Sequence, residues 1–509
     1  MSFNLASILT ESRIAHPDKP LCHTDEDATL TYADVDEASG RVATALLELG
    51  LERGDRVAVQ LPNVPEFLFT YFGALKAGLV LVPLNPLLKA PEIAHHLHDS
   101  GARVFVAHTR AAETALKGVE AAVADGLARP QVLLACGGDR PEGTTDFDAL
   151  LRAEDCGEPA AVQAGDTAVL LYTSGTTGRP KGAELTHVQL YMNCTVSGEQ
   201  LGLREDDVSL AVLPLFHAFG LSSVLNGAVR RGGTIVLVKR FERDAVVAAL
   251  AKYRCTIFAG VPTMYQELLR ADTSGVDLSS LRIGSCGGAP MPAEVMREVE
   301  ETFPGIVVLE GYGLSETASS TTVNTSAEER KVGSIGRPIW GVRVRVVDPE
   351  GRELPPGRDN VGEIVVRGHN TMKGYWNRPD ATAEVLRDGW FHTGDLGHSD
   401  EDGYFYVVDR KKDLVVRGGY NVYPREVEEV LYEHPDVTGA AVVGRPDERM
   451  GEEVVACVVL GPGSAATEED LVAFCKERMA AYKYPREIRL MSALPTGPTG
   501  KILRKELRA

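Results

Sequence analysis

The chain has 509 residues, of which 44% are hydrophobic and 25% are charged, a composition typical of globular proteins. Its 53 basic and 72 acidic residues give a net charge of −19. Because this field would repel a polymer of phosphates, we expect no nucleic acid partner, although a phosphorylated small molecule can still bind in a local pocket. At roughly 100–200 residues per domain, the length favours more than one domain.

The cysteines and the hydrophobicity profile bear on the compartment. Eight cysteines are scattered along the chain without a C-x-x-C pair, which indicates free thiols in a reducing compartment. The N-terminus has no signal-peptide pattern, and no apolar run is long enough to cross a bilayer. The sequence therefore predicts a cytoplasmic protein without a membrane span.

Strands and helices alternate in the first two thirds of the chain. Short Val- and Ile-rich runs predict buried strands, and periodic apolar residues between them predict helices. This alternation favours parallel sheets that are covered on both faces, and so an α/β fold class. The clearest segments are helices at Tyr32–Leu49 and Pro65–Ala77, and strands at Arg56–Leu61, Ala168–Tyr172, Thr234–Val238 and Ile306–Leu309.

The pattern changes after residue 335. From about Gly336 to Arg410, short strands separated by Gly, Pro and Asp turns predict a small antiparallel or β-barrel-like subdomain. A compact charged link, Asp409–Asp413, follows. The remaining chain of about 100 residues is long enough for a small domain of its own. Its strands and helices predict an α+β fold, with a helix at Pro424–Glu433, strands at Gly439–Gly444 and Glu453–Leu460, and a helix at Glu468–Met479.

The segment from Tyr172 to Gly182, YTSGTTGRPKG, is the sharpest functional signal. It follows an apolar strand, and its glycines and hydroxyls can bring backbone N–H and O–H donors close to a phosphate. It is not a Walker A motif, because Lys181 is preceded by Pro and followed by Gly. The predicted phosphate-binding residues are Thr173, Ser174, Gly175, Thr176, Thr177, Gly178 and Lys181.

This segment resembles the signature loop of the adenylate-forming superfamily, which comprises acyl- and aryl-CoA ligases, peptide-synthetase adenylation domains and beetle luciferases. Further motifs resemble that superfamily in the same order along essentially the whole chain, closest to the fatty-acid and 4-coumarate types of CoA ligase. The resemblance implies a large N-terminal domain over residues 1–409, a hinge at 410–412 that includes Lys412, and a small mobile C-terminal domain over 413–509.

The resemblance also implies a nucleotide site. The motif EGYGLSET, from Glu310 to Thr317, follows a predicted strand, although by itself it could be a hairpin turn. In the family its tyrosine stacks on adenine, its glutamate binds Mg²⁺ and its threonine contacts phosphate. These roles fall on Tyr312, Glu316 and Thr317, with Glu310, Gly311 and Gly313 beside them, and a second segment that passes the other side of adenine falls on Gly288, Ala289 and Pro290.

The ribose and the reacting groups are assigned in the same way. Asp395, in the Thr-Gly-Asp motif, is implied to accept hydrogen bonds from both ribose hydroxyls, and Arg410 to contact the ribose as well. His217 occupies the position where the family has a ring beside the carboxylate, although a histidine among apolar residues is ordinarily a core residue. Lys501, on a Gly-rich C-terminal loop, matches the lysine that bridges the carboxylate and the α-phosphate.

The second half-reaction is implied by the resemblance to follow a rotation of the C-terminal domain about Lys412. That rotation would bring Gly418 and Gly419 to the site, where two glycines leave a slot narrow enough for the pantetheine arm of coenzyme A. The expected substrates are ATP, coenzyme A and a small carboxylic acid, with Mg²⁺ as cofactor. An acyl carrier protein is the alternative thiol, and the sequence does not predict an oligomeric state.

The identity of the acid is the least constrained prediction. The residues expected to line its pocket, including Phe219, Val261, Met264 and Cys286, are mainly apolar or small. They favour a medium- or long-chain fatty acid, with an aryl acid such as a cinnamate or benzoate as the alternative. A nucleotide-binding scaffold without activity is disfavoured, because all the expected chemical residues are present.

Overall fold

The computed structural model describes residues 3–173, 179–411, 413–418, 420–447, 449–497 and 500–508. Over the first part of the chain the α-helices and strands are α1 (Ser7–Ala15), β1 (Pro20–Thr24), β2 (Thr29–Thr31), α2 (Tyr32–Glu48), β3 (Arg56–Gln60), α3 (Pro65–Lys76), β4 (Val80–Pro83), α4 (Ala90–Ser100), β5 (Val104–His108), α5 (Ala112–Ala124), β6 (Gln131–Ala135), β7 (Thr144–Asp146), β8 (Thr167–Thr173) and β9 (Lys181–Thr186).

The middle of the chain continues the alternation and includes a π-helix at Phe219–Asn226. Its other elements are α6 (His187–Gln200), β10 (Val208–Ala211), α7 (Gly227–Arg231), β11 (Thr234–Leu237), α8 (Arg243–Lys252), β12 (Ile257–Gly260), α9 (Pro262–Leu269), β13 (Ile283–Cys286), α10 (Ala293–Thr302), β14 (Val307–Leu314), β15 (Ser319–Val323) and β16 (Arg337–Pro338).

The last part consists of shorter elements. They are β17 (Val342–Val347), β18 (Gly362–Gly368), α11 (Pro379–Val385), β19 (Leu386–Arg387), β20 (Trp390–Ser399), β21 (Phe405–Arg410), β22 (Val415–Arg417), β23 (Tyr420–Val422), α12 (Pro424–Tyr432), β24 (Val437–Asp447), β25 (Gly451–Leu460), α13 (Glu468–Arg478), β26 (Glu487–Leu490) and α14 (Arg504–Leu507).

Two large sheets form the framework of the N-terminal part. One has the strand order β7-β6-β5-β3-β4-β8-β9, and the other β16-β15-β14-β13-β12-β10-β11-β1-β2. Their central strands are parallel, and antiparallel strands stand at the edges, as in β8–β9 and β14–β15. The buried helices α2 and α3 share one hydrophobic core with both sheets, so the two sheets are packed as a single body around apolar side chains.

Local sequence explains where the main helices begin. α2 starts at a capping box, in which Thr31 accepts from the Asp34 N–H at 3.1 Å and Asp34 accepts from the Thr31 N–H at 2.8 Å. α3 starts at Pro65, whose fixed φ suits the first helical position. The predicted segments therefore agree with the structure to within one or two residues at most ends.

Two smaller sheets complete the chain. β17, β18, β20 and β19 pair antiparallel, and β21 also pairs with β20. The C-terminal sheet has the order β23-β22-β25-β24, with β26 parallel to β25. The predicted fold class is confirmed, with α/β sheets, an antiparallel subdomain and a small α+β part at the end. The domain limits at 409 and 413 and the hinge remain predictions.

No helix among the described residues is long and apolar enough to cross a membrane.

Candidate active site

A cavity lies at the carboxyl ends of β12, β13 and β14, where a C-terminal loop meets the large sheet. Carboxyl ends of parallel strands are the usual ligand sites of open α/β sheets. The cavity and its open mouth, including the solvent space in it, span about 750 Å³. His217, Phe219, Tyr312 and Lys501 line it, together with the backbone of Gly287 and Gly288.

His217 stands at the start of the π-helix that forms one wall. Its Nδ1 accepts a hydrogen bond from the Phe219 N–H at 3.3 Å, so the proton of the neutral ring is on Nε2. Burial, and secondarily the Lys501 cation, lower the pKa of His217 to about 3. The ring is therefore a neutral N–H donor at the cavity.

Asp395 is almost fully buried and has two partners from other strands. The Tyr312 hydroxyl donates to its Oδ2 at 2.5 Å, and the Arg410 guanidinium lies 3.1 Å from its Oδ1. β20 and β21 pair Asp395 directly with Arg410, which explains why the two side chains meet. The three predicted nucleotide residues are thus brought together, and of the three Tyr312 lines the cavity.

Lys501 enters the cavity from the C-terminal loop. It passes beside Gly288, whose φ of +81° favours glycine, and a Cβ placed there would lie 2.9 Å from Lys501 Cε. The adjacent Gly500 carbonyl accepts from the Thr263 hydroxyl at 3.1 Å. Burial, followed by the charge of Arg410, lowers the pKa of Lys501 to about 8, while Asp395 and Glu316 oppose that shift.

Glu316 and Thr317 are both buried, and their side chains have different partners. Glu316 receives a hydrogen bond on Oε1 from the Tyr375 hydroxyl at 2.9 Å. Thr317 is completely buried, and its hydroxyl accepts from the Leu314 N–H at 2.9 Å and from the Thr321 hydroxyl at 2.9 Å. This geometry argues against the predicted phosphate contact of Thr317. The partly accessible hydroxyl next to Glu316 is that of Ser315.

The residues predicted to flank adenine are held mainly through the backbone. A Cβ on Gly313 would lie 1.4 Å from the Ser319 carbonyl oxygen, so β14 and β15 can approach only with glycine there. Glu310 is buried, and burial raises its pKa to about 7. Its Oε1 accepts from the Met291 N–H at 3.3 Å. Gly311 lines the cavity with Glu310 and Gly313, while Ala289 and Pro290 follow the cavity-lining Gly288 in the chain.

The predicted phosphate loop is only partly described. Thr173 and Lys181 are paired at the loop end of the β8–β9 hairpin, and the Lys181 ammonium lies 5.3 Å from the centre of the Tyr375 ring. Ser174, Gly175, Thr176, Thr177 and Gly178 lie outside the described residues, as do Lys412 and Gly419. Gly418 is exposed in the turn after β22, where its N–H donates to the Met450 carbonyl, and it does not line the cavity.

Some residues at the site were not anticipated from the sequence. Ser223, Ser319 and Ser320 line the cavity, and the Ser223 hydroxyl is hydrogen-bonded to those of Ser319 and Ser320. Tyr375 contacts Glu316 and Lys181, although it is 59 positions away from the former. Pairs of serines and a tyrosine after a glycine carry no periodic signal, so long-range packing alone identifies them.

Comparisons with known proteins agree with this arrangement. The family model for AMP-binding enzymes matches residues 9–376, and the model for the C-terminal domain of AMP-binding enzymes matches residues 426–501. The chain is 44% identical to a feruloyl-CoA synthase of Amycolatopsis sp, over 94% of this chain and 93% of that protein. It is 38% identical to a long-chain-fatty-acid–CoA ligase of Bacillus subtilis (strain 168), over 99% and 94% of the two chains.

A solved structure extends the comparison to three dimensions. A crystal structure of an anthranilate CoA ligase in complex with anthranoyl-AMP superposes with a TM-score of 0.91, at 30% identity, over 100% of this chain and 97% of that chain. The resemblance in sequence thus extends to the whole fold. The chain therefore belongs to the AMP-binding enzyme family and is an AMP-forming acyl-CoA synthetase, which joins a carboxylic acid to coenzyme A through an acyl-adenylate.

Proposed function

We propose that this enzyme activates an aryl acid of the hydroxycinnamate type. The observation that carries the proposal is a cluster of three hydroxyls in the cavity wall. Ser223 Oγ lies 2.7 Å from Ser319 Oγ and 3.4 Å from Ser320 Oγ. Three hydroxyl protons serve two such contacts, so at least one proton is not used within the cluster. A ring hydroxyl or methoxy oxygen could accept it, whereas a methylene chain could not.

The backbone around this cluster supports a functional role for it. Ala318 has φ +54° and Ser319 has φ +107°, conformations that cost on the order of 1–3 kcal/mol in non-glycine residues. The Asn193 and Asn370 amides both donate to the Ser320 carbonyl, at 2.7 Å and 3.0 Å, and hold this segment in place. The 44% identity to a feruloyl-CoA synthase supports the same acid class.

A medium- or long-chain fatty acid, and with it a role in fatty acid metabolism, is the second candidate. Leu201, Leu309 and Val323 give the cavity an apolar wall on which a methylene chain would pack. The 38% identity to a long-chain-fatty-acid–CoA ligase favours this alternative. The two candidates differ in whether the serine hydroxyls have a partner when the acid is bound.

The described side chains suit the first half-reaction. We assign Asp395 and Arg410 to the ribose and Tyr312 to adenine, because Asp395 contacts both of the other side chains and Tyr312 lines the cavity. The neutral His217 would donate its Nε2–H to the carboxylate of the acid, and Lys501 would lie between that carboxylate and the α-phosphate. The carboxylate oxygen attacks the α-phosphorus and pyrophosphate leaves, while the Lys501 cation offsets the repulsion between two anions.

Glu316 is the residue that we propose to bind Mg²⁺. Among the residues that the structure describes, no group of three or more His, Cys, Asp or Glu side chains could hold a metal. Mg²⁺ in nucleotide enzymes is commonly bound by one or two carboxylates together with substrate phosphates, and Glu316 supplies one carboxylate. Bound there, the ion would neutralise charge on the phosphate oxygens and on the departing pyrophosphate.

The second half-reaction requires a different arrangement of the C-terminal part. Lys501 occupies the cavity in this structure, whereas Gly418 is exposed in a turn outside it. We propose that a rotation at Lys412 removes Lys501 and brings Gly418 and Gly419 to the acyl-adenylate. The coenzyme A thiol then attacks the acyl carbon, AMP leaves, and the thioester forms. We also propose a cytoplasmic location, which the eight free cysteines support.

The decisive experiment measures AMP release from ATP across ferulate, 4-coumarate, cinnamate, octanoate and palmitate, with and without coenzyme A. The proposal expects ferulate and 4-coumarate to exceed cinnamate, and expects Ser223→Ala to remove that preference. Higher kcat/KM for octanoate or palmitate would establish the fatty-acid alternative. Pyrophosphate release that stops at one equivalent and does not respond to coenzyme A would indicate a carrier protein as acceptor.

A further inference from the structure

We infer that Tyr375 is a positioning residue of the adenylation half-reaction, which fixes the Glu316 carboxylate and the Lys181 ammonium at the triphosphate end of the site. Its hydroxyl donates to Glu316 Oε1 at 2.9 Å, and its ring lies 5.3 Å below the Lys181 ammonium. Thr173 is paired with Lys181 at the ends of their two strands. One aromatic side chain thus contacts two residues of the predicted phosphate and metal sites, and a third is paired with one of them.

These three residues come from two different sheets. Thr173 and Lys181 stand at the ends of β8 and β9 in the seven-stranded sheet, whereas Glu316 follows β14 of the nine-stranded sheet. A triphosphate that contacts both Lys181 and Glu316 must lie across the junction between the sheets. The relative position of Lys181 and Glu316 therefore depends on the residues that connect the two sheets. Tyr375 contacts both side chains directly.

The backbone around Tyr375 is fixed to both sides of this junction. The Met372 N–H donates to the Glu316 carbonyl at 2.7 Å. On the other side, the Trp376 N–H donates to the Gly182 carbonyl at 2.8 Å, and Tyr375 forms a bridge with Ala183 next to it. Because the main chain is held at both ends, the phenol is oriented before any ligand binds.

The two parts of the side chain have separable effects. The hydroxyl orients Glu316, and a hydrogen-bonding partner of a metal-binding carboxylate ordinarily contributes about 10- to 100-fold to metal affinity or activity. The ring positions Lys181 through a cation–π contact. Lys181 in turn neutralises charge on the phosphates and does not bind the metal. Tyr375→Phe removes the first effect alone, and Tyr375→Leu removes both.

The test is the binding of ATP to the full-length enzyme by calorimetry, with excess Mg²⁺ and with EDTA. For Tyr375→Phe we expect the Kd of Mg·ATP to rise by about 10-fold or more, with the Kd of metal-free ATP unchanged. For Tyr375→Leu we expect both Kd values to rise. Thioester formation from supplied acyl-adenylate should be unaffected in Tyr375→Phe, because that step uses neither the triphosphate nor its metal.

The controls separate positioning from general destabilisation. Tyr406→Phe removes a comparable bond, from a tyrosine hydroxyl to Asp400 at 3.0 Å, and should change neither Kd. A Tyr375→Phe enzyme that binds Mg·ATP normally, or that weakens Mg·ATP and metal-free ATP equally, would overturn the inference. The inference rests on the proposed magnesium role of Glu316, which Glu316→Gln tests separately: unchanged Mg²⁺ dependence in that variant would refute the metal role itself.

Discussion

The charge of Lys501 is the residue property most directly linked to the rate. Burial and Arg410 lower its pKa to about 8, so the ammonium is present below that pH and is lost as the pH rises through it. Adenylation needs the cation, and kcat/KM for acid-dependent pyrophosphate exchange should therefore fall above about pH 8. In Lys501→Arg, any remaining activity should lack this alkaline decline, because a guanidinium stays protonated. An unchanged decline in the arginine variant would assign it to another group.

Unlike Lys501, His217 should not change its protonation state in the working pH range of the enzyme. With a pKa of about 3, its ring stays neutral throughout the working range, and its Nε2–H remains a donor. His217→Ala should lower kcat/KM for adenylation by about 10- to 100-fold, the usual effect of losing a hydrogen bond to a charged group. The ratio of wild-type to variant activity should be constant from pH 5 to pH 8. A ratio that changes through pH 6–7 would mean that the ring titrates there.

Among the secondary-structure elements, the close approach of β14 to β15 determines the shape of the cavity. At Gly313, a Cβ would lie 1.4 Å from the Ser319 carbonyl oxygen, whereas at Gly311 the nearest atom, the Thr322 carbonyl oxygen, would be 3.3 Å away. Gly313→Ala must force the strands apart and should lower the free energy of unfolding by about 3 kcal/mol or more. It should also displace Ser319, and with it the hydroxyl cluster.

Gly311→Ala is the matched control for this prediction, because it adds the same methyl group to the same strand with only a small adjustment of its neighbour. Thermal unfolding of the two variants should separate them clearly, with the larger loss at Gly313. Equal melting temperatures would mean that β15 moves away at little cost. In that case the strained conformation at Ser319 would not depend on close strand packing.

At the scale of the molecule, the predictable part of the fold follows from local signals. Periodic apolar residues and short apolar runs placed α2, α3 and β3 to within one residue. The predicted site residues, such as Asp395 and Lys501, belong to short motifs that resemble a known family. Tyr375 and Ser319 could not be found in this way, because their roles depend on contacts between two sheets and on a positive φ.

The proposed rotation of the C-terminal part should depend on contacts that exist only while Lys501 is in the cavity. The Thr263 hydroxyl, on α9, donates to the Gly500 carbonyl at 3.1 Å, and a Cβ on Gly500 would lie 2.7 Å from Val261. These contacts join the large sheet to the loop that carries Lys501. Thr263→Val should remove about 0.5–1.5 kcal/mol from this arrangement and slow adenylation by about 2- to 10-fold.

Thioester formation from supplied acyl-adenylate should be unchanged or faster in Thr263→Val, because the competing arrangement has lost a stabilising bond. Thr263→Ser keeps the hydroxyl with little change in volume and should restore adenylation, which separates the hydrogen bond from packing. Both half-reactions are measured on the same preparations, with Lys501→Ala as the reference for a loss confined to adenylation. If Thr263→Val slows both half-reactions equally, the contact stabilises the fold and does not bias the position of the C-terminal loop.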